Sequence, residues 1–482
     1  MNNRHRPVTD PGSLAADLGA RAAAELTEVD ERVRGRWSSP VTWRQPVHTV
    51  YIPADAVTPG VPVVADWAHA GLDTLTSTFP SAGGDPVQAA RELAQFLGIP
   101  GDRAADVARL TVHKMRTEPI EDLRIDLEDG FTQRGVPVAR RDDDEDARAV
   151  DAAEVLAGWL DPGSGDAGPR PSFAGVRVRS FDPAVRDRGI RTLVLVLNGL
   201  AERGVLSALH DTSSERFHPR ALRLTLPKVQ DHRQVSAFVR VLTGIEDSLG
   251  LTGPEHRPLC FEVQVETPQA VLGAEGEAEA ARILSAAEGR CLALHYGTYD
   301  YSASMGVDAV EQALDHPVAD HAKDVLQVAT ASVGVELSDG STNRIPAGDP
   351  DAVKEGWRIH HRLVDRHLRR GIRQGWDLHP NQLITRHMAT IDYFRRDWAS
   401  TATRLRDYVS GDTSRWMDEP ATAKAMAGYL LRAHACRAVT GDELAAAGHV
   451  TGTLRSLQLT GRVDDAMPST ANSTERTKEQ DR

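Results

Sequence analysis

Cysteine, lysine and aromatic residues are all scarce in this chain. Three cysteines, Cys260, Cys291 and Cys436, in 482 residues cannot form a disulfide framework, so the expected compartment is a reducing cytoplasm. Cys260 and Cys291 open apolar runs, where a free thiol packs as a small hydrophobe. The lysines are Lys114, Lys228, Lys323, Lys354, Lys424 and Lys478, and that scarcity limits any mechanism that needs a catalytic amine. No uninterrupted apolar run reaches about 18 residues, so no membrane span is expected. The start, MNNRHRPVTDPGSLAADL, lacks the apolar stretch of a secretory signal. The net charge is −13, with no basic patch interleaved with aromatics, which excludes nucleic acid as the expected partner. No glycine-rich phosphate-binding signature follows any predicted strand.

What is present suffices for a large core: 40% of the residues are apolar and 26% charged. Short β-like runs alternate with amphipathic stretches. The runs are VHTVYIPAD (47–55), LRIDLEDG (123–130), FAGVRVRSF (173–181), ALRLTLPKV (221–229), CFEVQVET (260–267) and CLALHYGTYDY (291–301). ASVGVELSDG (331–340) and GIRQGWDLHP (371–380) are weaker. Eight βα units predict a closed parallel barrel, an α/β (β/α)8 TIM barrel, rather than an open sheet. Four segments are expected: an N-terminal helical extension (1–45) with Ser13 as N-cap, the barrel (46–395), a C-terminal helical segment (396–462) and a disordered tail (463–482). The first connection, 56–122, is too long for one helix and predicts a helical insertion of two or three, forming a cap. The acidic run RDDDEDAR (141–148) lacks the spacing of a calcium loop and reads as a solvated surface turn.

Acids collect at predicted strand ends. Glu262, Gln264 and Glu266 alternate and share one face of their strand. Glu266 closes its run and Asp300 closes the next; on neighbouring parallel strands such ends lie about 5 Å apart. Two carboxylates so placed can share a hard divalent cation, at the rim where (β/α)8 barrels gather catalytic groups. Asp126, Glu128 and Asp129 crowd the end of the second strand, which calls for nearby cations. Arg177 and Arg179 alternate in GVRVRSF; a guanidinium there can grip a substrate carboxylate or pair with Asp126 or Glu128. Lys228 reads either as an imine-forming amine or as a partner for those acids. His379, in WDLHPNQ, is either an acid–base group or a structural residue fixing its loop.

IPAD, DLEDG, RVR, LPKV, VET, GTYD and HPNQ occur in that order between about residues 46 and 385. Together they resemble the citrate lyase beta-subunit-like branch of the HpcH/HpaI aldolase superfamily, and more distantly the malate synthases. The resemblance implies a (β/α)8 barrel using Mg²⁺, or Mn²⁺, for reversible carbon–carbon cleavage of a 2-oxo or 3-hydroxy acid. It places the metal ligands on Glu266 and Asp300 and the substrate-binding arginine on Arg177. It also places Asp418, in WMDEPA, as a catalytic aspartate acting across a subunit boundary, which implies a homo-oligomer. Asp126, Glu128, Arg179, Lys228 and His379 are expected to bind substrate or support the site. A CoA thioester is an alternative substrate. Two other readings stand beside this one: a malate-synthase-like condensing enzyme using acetyl-CoA, and a non-catalytic metabolite-binding barrel. The malate synthase aspartate position is His387 here, and the family's Arg-Val-Asn is Arg-Val-Arg.

Overall fold

Eight short parallel strands close on themselves. They are β1 (Thr49–Pro53), β2 (Asp122–Asp126), β3 (Phe173–Arg177), β4 (Leu222–Leu226), β5 (Phe261–Val265), β6 (Cys291–Tyr296), β7 (Glu336–Ser338) and β8 (Trp376–Asp377). A computed structural model describes residues 10–36, 44–131, 137–161, 168–213, 220–331, 333–411 and 414–462. The strands pair in the order 7-6-5-4-3-2-1-8. Closure between β7 and β8 comes from a parallel bridge, Ser338 to Gln374. The Asp339 N–H donates to the Gln374 carbonyl at 2.8 Å and the Trp376 N–H to the Gly340 carbonyl at 3.1 Å. The expected (β/α)8 barrel is therefore present.

Outward strand residues such as Leu123, Ile125, Val176 and Leu224 are buried under the surrounding helices, each contributing about 1.5–3 kcal/mol. The barrel interior is charged. Arg124 bonds Asp122 at 2.5 Å and Glu262 at 2.8 Å, Arg223 bonds Glu336 at 2.8 Å, and His295 lies 3.2 Å from Glu262. Burial opposes ionisation of Glu262, but Arg124, His295 and Arg223 outweigh it and hold the carboxyl below its usual range. Buried charges persist in this way only when paired. This ionic layer separates the polar groups at the C-terminal ends of the strands from the floor.

The first connection carries three helices, Val63–Thr78, Pro86–Phe96 and Gly101–Thr117. They do not cap the barrel as expected; Val63–Thr78 and Gly101–Thr117 pack on its flank against the long helix Pro380–Ser410, and Pro86–Phe96 packs on those two, with Arg103 bonding Asp392 at 3.1 Å. The acidic run is likewise not a surface turn. It lies in helix Val138–Leu160, and Glu145 is fully buried between Arg179, Arg188 and Thr192. Helix Pro11–Arg36 begins before Ser13, with Asp10 accepting the N–H groups of Gly12 and Ser13 at 3.1 and 3.3 Å. Helix Pro380–Ser410 runs unbroken past residue 395 and is followed by Pro420–Ala435, Gly441–Ala446 and Thr451–Thr460. The tail 463–482 lies outside the described residues. All three cysteines are free thiols, and no described helix is long and apolar enough to cross a membrane.

Candidate active site

The rim is assembled from the residues that end β2 and β3. Asp126 and Arg177 are Cα partners in register, so their side chains meet. Arg177 donates Nε to Asp126 Oδ1 at 2.8 Å and Nη2 to Oδ2 at 2.5 Å, a bidentate pair with both groups buried. The same carboxylate accepts the N–H groups of Glu128 at 3.0 Å and Gly130 at 2.9 Å. This folds D-L-E-D-G into a tight turn, and a side chain at Gly130 would collide with Asp126. The third guanidinium nitrogen, Nη1, faces Gln264 Oε1 at 3.4 Å and Glu128 Oε2 at 3.6 Å. Tyr51 lies under the guanidinium, 4.8 Å to the ring centroid, and accepts a hydrogen bond from Gln264 at 3.0 Å. Sequence reasoning missed Tyr51; its alternation with Thr49 and Pro53 in β1 was the available signal.

Lys228 follows β4 with φ +53°, a left-handed conformation uncommon outside glycine and often kept at functional sites. The strain aims two groups at once. Its N–H donates to Glu266 Oε2 at 3.0 Å. Its Nζ donates to Glu128 Oε1 at 2.7 Å and to the two Asp129 oxygens at 2.6 and 2.7 Å. Burial pulls the ammonium toward neutrality, but Glu128 and Asp129 overcome it and hold the pKa above the ordinary lysine value. A lysine held charged is a poor imine-forming nucleophile, so Lys228 serves as partner to the acids.

Glu266 directly follows β5 and is 2% exposed. Burial pushes its pKa up to about 8, Asp300 and Glu128 push further in the same direction, and Arg177 and Lys228 pull against them. Burial also raises Glu128, with Asp129 adding to it and Arg177 and Lys228 opposing. Asp300 is not at a strand end as expected. β6 stops at Tyr296, and Asp300 stands in the first turn of helix Thr298–Ser304, exposed, with no hydrogen bond or ion pair to a described residue. A carboxyl whose charge is disfavoured by burial and by the field of an unpaired acid is in an environment that a cation would relieve. The donors are all hard carboxylate oxygens, which suits Mg²⁺ or Mn²⁺ better than zinc.

Three other candidate residues are bonded elsewhere. Arg179 lies past the end of β3 and bonds Glu145 at 2.7 Å. His379 is the N-cap of helix Pro380–Ser410: Nδ1 accepts the Asn381 N–H at 3.2 Å, while Gln382 reaches back to the His379 N–H at 3.1 Å. Asp418 is gripped by Arg404 at 2.5 and 2.8 Å, with Trp416 against the guanidinium. Phe394 of the same long helix already lines a cavity under the barrel floor, and Arg404 lies about 15 Å further along the helix. Asp418 therefore sits away from the rim of its own chain. Fully buried Asp377, held by His48, His360 and Arg386 at 2.7, 3.0 and 2.9 Å, was not anticipated, and its partners are too scattered in sequence to have been grouped. His387 is buried against the Pro119 carbonyl at 2.8 Å.

Among the described residues, Asp231, His232 and Glu279 form a group whose ligand atoms lie within 4.8 Å of one another, and the rim acids are not part of it. Its hydrogen bonds serve the start of helix His232–Ser248, where Asp231 is the N-cap.

Residues 26–462 match a family described as "Domain of unknown function (DUF6986)". No curated protein matches the chain. Among solved structures, a citrate lyase from Burkholderia xenovorans is 17% identical, with 84% of this chain and 96% of that one covered and a TM-score of 0.48. A Haloferax volcanii malate synthase in a magnesium and glyoxylate complex is 14% identical, covering 86% and 97%, with a TM-score of 0.42. Protein CitE from Mycobacterium tuberculosis, in complex with magnesium and pyruvate, is 15% identical, covering 81% and 100%, with a TM-score of 0.38. At these identities and scores neither residue roles nor activity carry across.

Proposed function

The chain belongs to the DUF6986 family, whose description names no reaction, and we propose from its rim chemistry that it is a Mg²⁺-dependent carbon–carbon lyase or aldolase. The substrate class is a small 2-oxo or 3-hydroxy acid, free or as a CoA thioester, and Mn²⁺ is an acceptable substitute. The observation that carries this reading is Glu266: a buried acid, its charge disfavoured, within the fields of the unpaired Asp300 and of Arg177. Glu266 and Asp300 would hold the ion, which when bound supplies Lewis-acid polarisation of an oxo group. Arg177 is fixed by Asp126 and Tyr51 before any substrate arrives. Its Nη1 edge is the part left to face a substrate carboxylate or the oxyanion that develops as the bond breaks. Lys228 keeps Glu128 and Asp129 in place and, through its N–H, orients Glu266. The imine route is disfavoured by its retained charge.

The same reading includes a homo-oligomer working in the cytoplasm. Helix Pro11–Arg36 supports association, since Leu14, Leu18, Leu26, Val29 and Val33 are all exposed along it. Asp418, remote from its own rim, would then be supplied to the site of a neighbouring subunit. The test is incubation with a panel of 2-oxo and 3-hydroxy acids, with and without acyl-CoAs and Mg²⁺, read by mass spectrometry. Mg²⁺-dependent appearance of paired cleavage or condensation products is expected. A panel without turnover in the presence of Mg²⁺ or Mn²⁺ would contradict the assignment.

A further inference from the structure

A cavity of about 540 Å³ lies under the barrel floor, at the end opposite the rim acids. Its roof is the entry to the strands, including Val47, Val335 and Leu337; its lower wall is helices Pro420–Ala435 and Thr451–Thr460. That volume is in the range of small-molecule sites, about 300–1,000 Å³. Phe394 and Leu431 give it an apolar side, and Arg373, Arg432 and Arg455 give it positive charge. The nearby acids are engaged by other cations: Glu118 and Glu121 bond Arg44 at 2.9 and 3.0 Å, and Glu336 bonds Arg223 at 2.8 Å. Arg373 donates to the Leu368 carbonyl at 2.9 Å and lies over the Tyr393 ring, with no carboxylate partner among the described residues. Arg432 has no hydrogen-bond acceptor among the described residues, and its Nε is buried and unsatisfied.

We propose that this cavity binds an amphipathic organic carboxylate, with the carboxylate on Arg432 and Arg373 and the hydrocarbon portion against Phe394, Leu431 and Val335. An uncompensated guanidinium inside a fold is costly, and removing its partner is what makes a buried pair destabilising. Burial, followed by the charge of Arg373, lowers Arg432 to about 10, which agrees with a missing anion. The planar guanidinium fork matches a carboxylate bidentately. The apolar wall distinguishes such a ligand from an inorganic anion. The site is separate from the rim, and the ionic layer of Arg124, Glu262 and Arg223 lies between them.

The test is titration calorimetry of the full chain with octanoate, using 1-octanol and inorganic phosphate as probes of each half of the ligand. Saturable octanoate binding is expected, at least about tenfold tighter than either control. Arg432→Met should weaken it about tenfold to a hundredfold, the worth of one charge-assisted hydrogen bond, while raising the melting temperature of the free protein. Val335→Trp, which keeps the arginine and fills the apolar end, should abolish binding and decides the matter if Arg432→Met does not fold. Glu266→Gln should bind octanoate as the native protein does, which separates this site from the proposed active site. Absence of saturable octanoate binding, phosphate binding as tight as octanoate, or affinity unchanged in Arg432→Met or Val335→Trp would each overturn the proposal. So would loss of octanoate binding in Glu266→Gln, because it would place the carboxylate at the rim.

Discussion

Gly297 leaves the space that Glu266 fills. A methyl group at position 297 would stand 2.2 Å from Glu266 Cγ and 2.9 Å from its Oε1. The glycine has φ −98°, a conformation open to any residue, so room rather than backbone freedom is what the position requires.

Gly297→Ala should therefore displace Glu266 while leaving the barrel folded. The expected cost is about 1–3 kcal/mol in urea denaturation, the usual cost of overpacking, with Mg²⁺ affinity reduced at least about tenfold. Native Mg²⁺ affinity in the alanine variant would show that the side chain of Glu266 does not hold the ion.

Lys228 should not form a covalent intermediate. Its ammonium is kept charged by Glu128 and Asp129, so borohydride added during turnover should leave the intact mass unchanged, while EDTA should remove activity. A substrate-sized mass increment mapped to Lys228 would reverse the choice between metal and imine chemistry.

The buried histidines predict an acid-sensitive fold. Burial, reinforced by His48, lowers His387 from 6.5 to about 3. Between those pH values the unfolded chain binds a proton that the folded chain refuses, so stability is retained above about pH 6.5 and lost as the pH falls. At pH 5 the loss from this residue is about 2 kcal/mol. In urea denaturation at about pH 7 and pH 5, His387→Gln should shrink the difference between the two by about that amount. An unchanged difference would mean that His387 is already protonated in the fold.

The shared-site reading predicts complementation. Asp418→Ala and Arg177→Ala subunits should each be inactive alone. Mixed oligomers should regain part of the activity, because one site in the mixture receives both native residues. No recovery, with subunit exchange demonstrated, would confine Asp418 to its bond with Arg404.

Strands β1 to β7 could be read because each carries an apolar outer face, and β4, β5 and β6 are also bounded by clear turns; β8 turns Asp377 to the helix residues His360 and Arg386 instead. Their ends could not. Asp126 is the last residue of β2, and Asp129 already belongs to a short 3-10 turn; the GTYD run continues past β6 into a helix. Apolar alternation does not reveal where backbone pairing stops. The Asp126–Arg177 pair was among the partners anticipated, since both alternate toward the barrel interior. The left-handed backbone of Lys228 was not, because only glycine or asparagine would have signalled it. Nor were the Asp377 cluster and the arginine-lined cavity, which arise from closure of β8 on β1 and from helices far apart in the chain. The long first connection was correctly read as helical but taken to form a cap, because the apolar faces of its helices do not state which surface they cover.

Mg²⁺ titration calorimetry on the native chain, Glu266→Gln and Asp300→Asn, each verified as folded by circular dichroism, bears most directly on the proposed metal-dependent rim. One Mg²⁺ per chain should bind the native protein, and binding should be lost in both variants. Binding that persists unchanged in either variant, or no binding of Mg²⁺ or Mn²⁺ by the native chain, would contradict it.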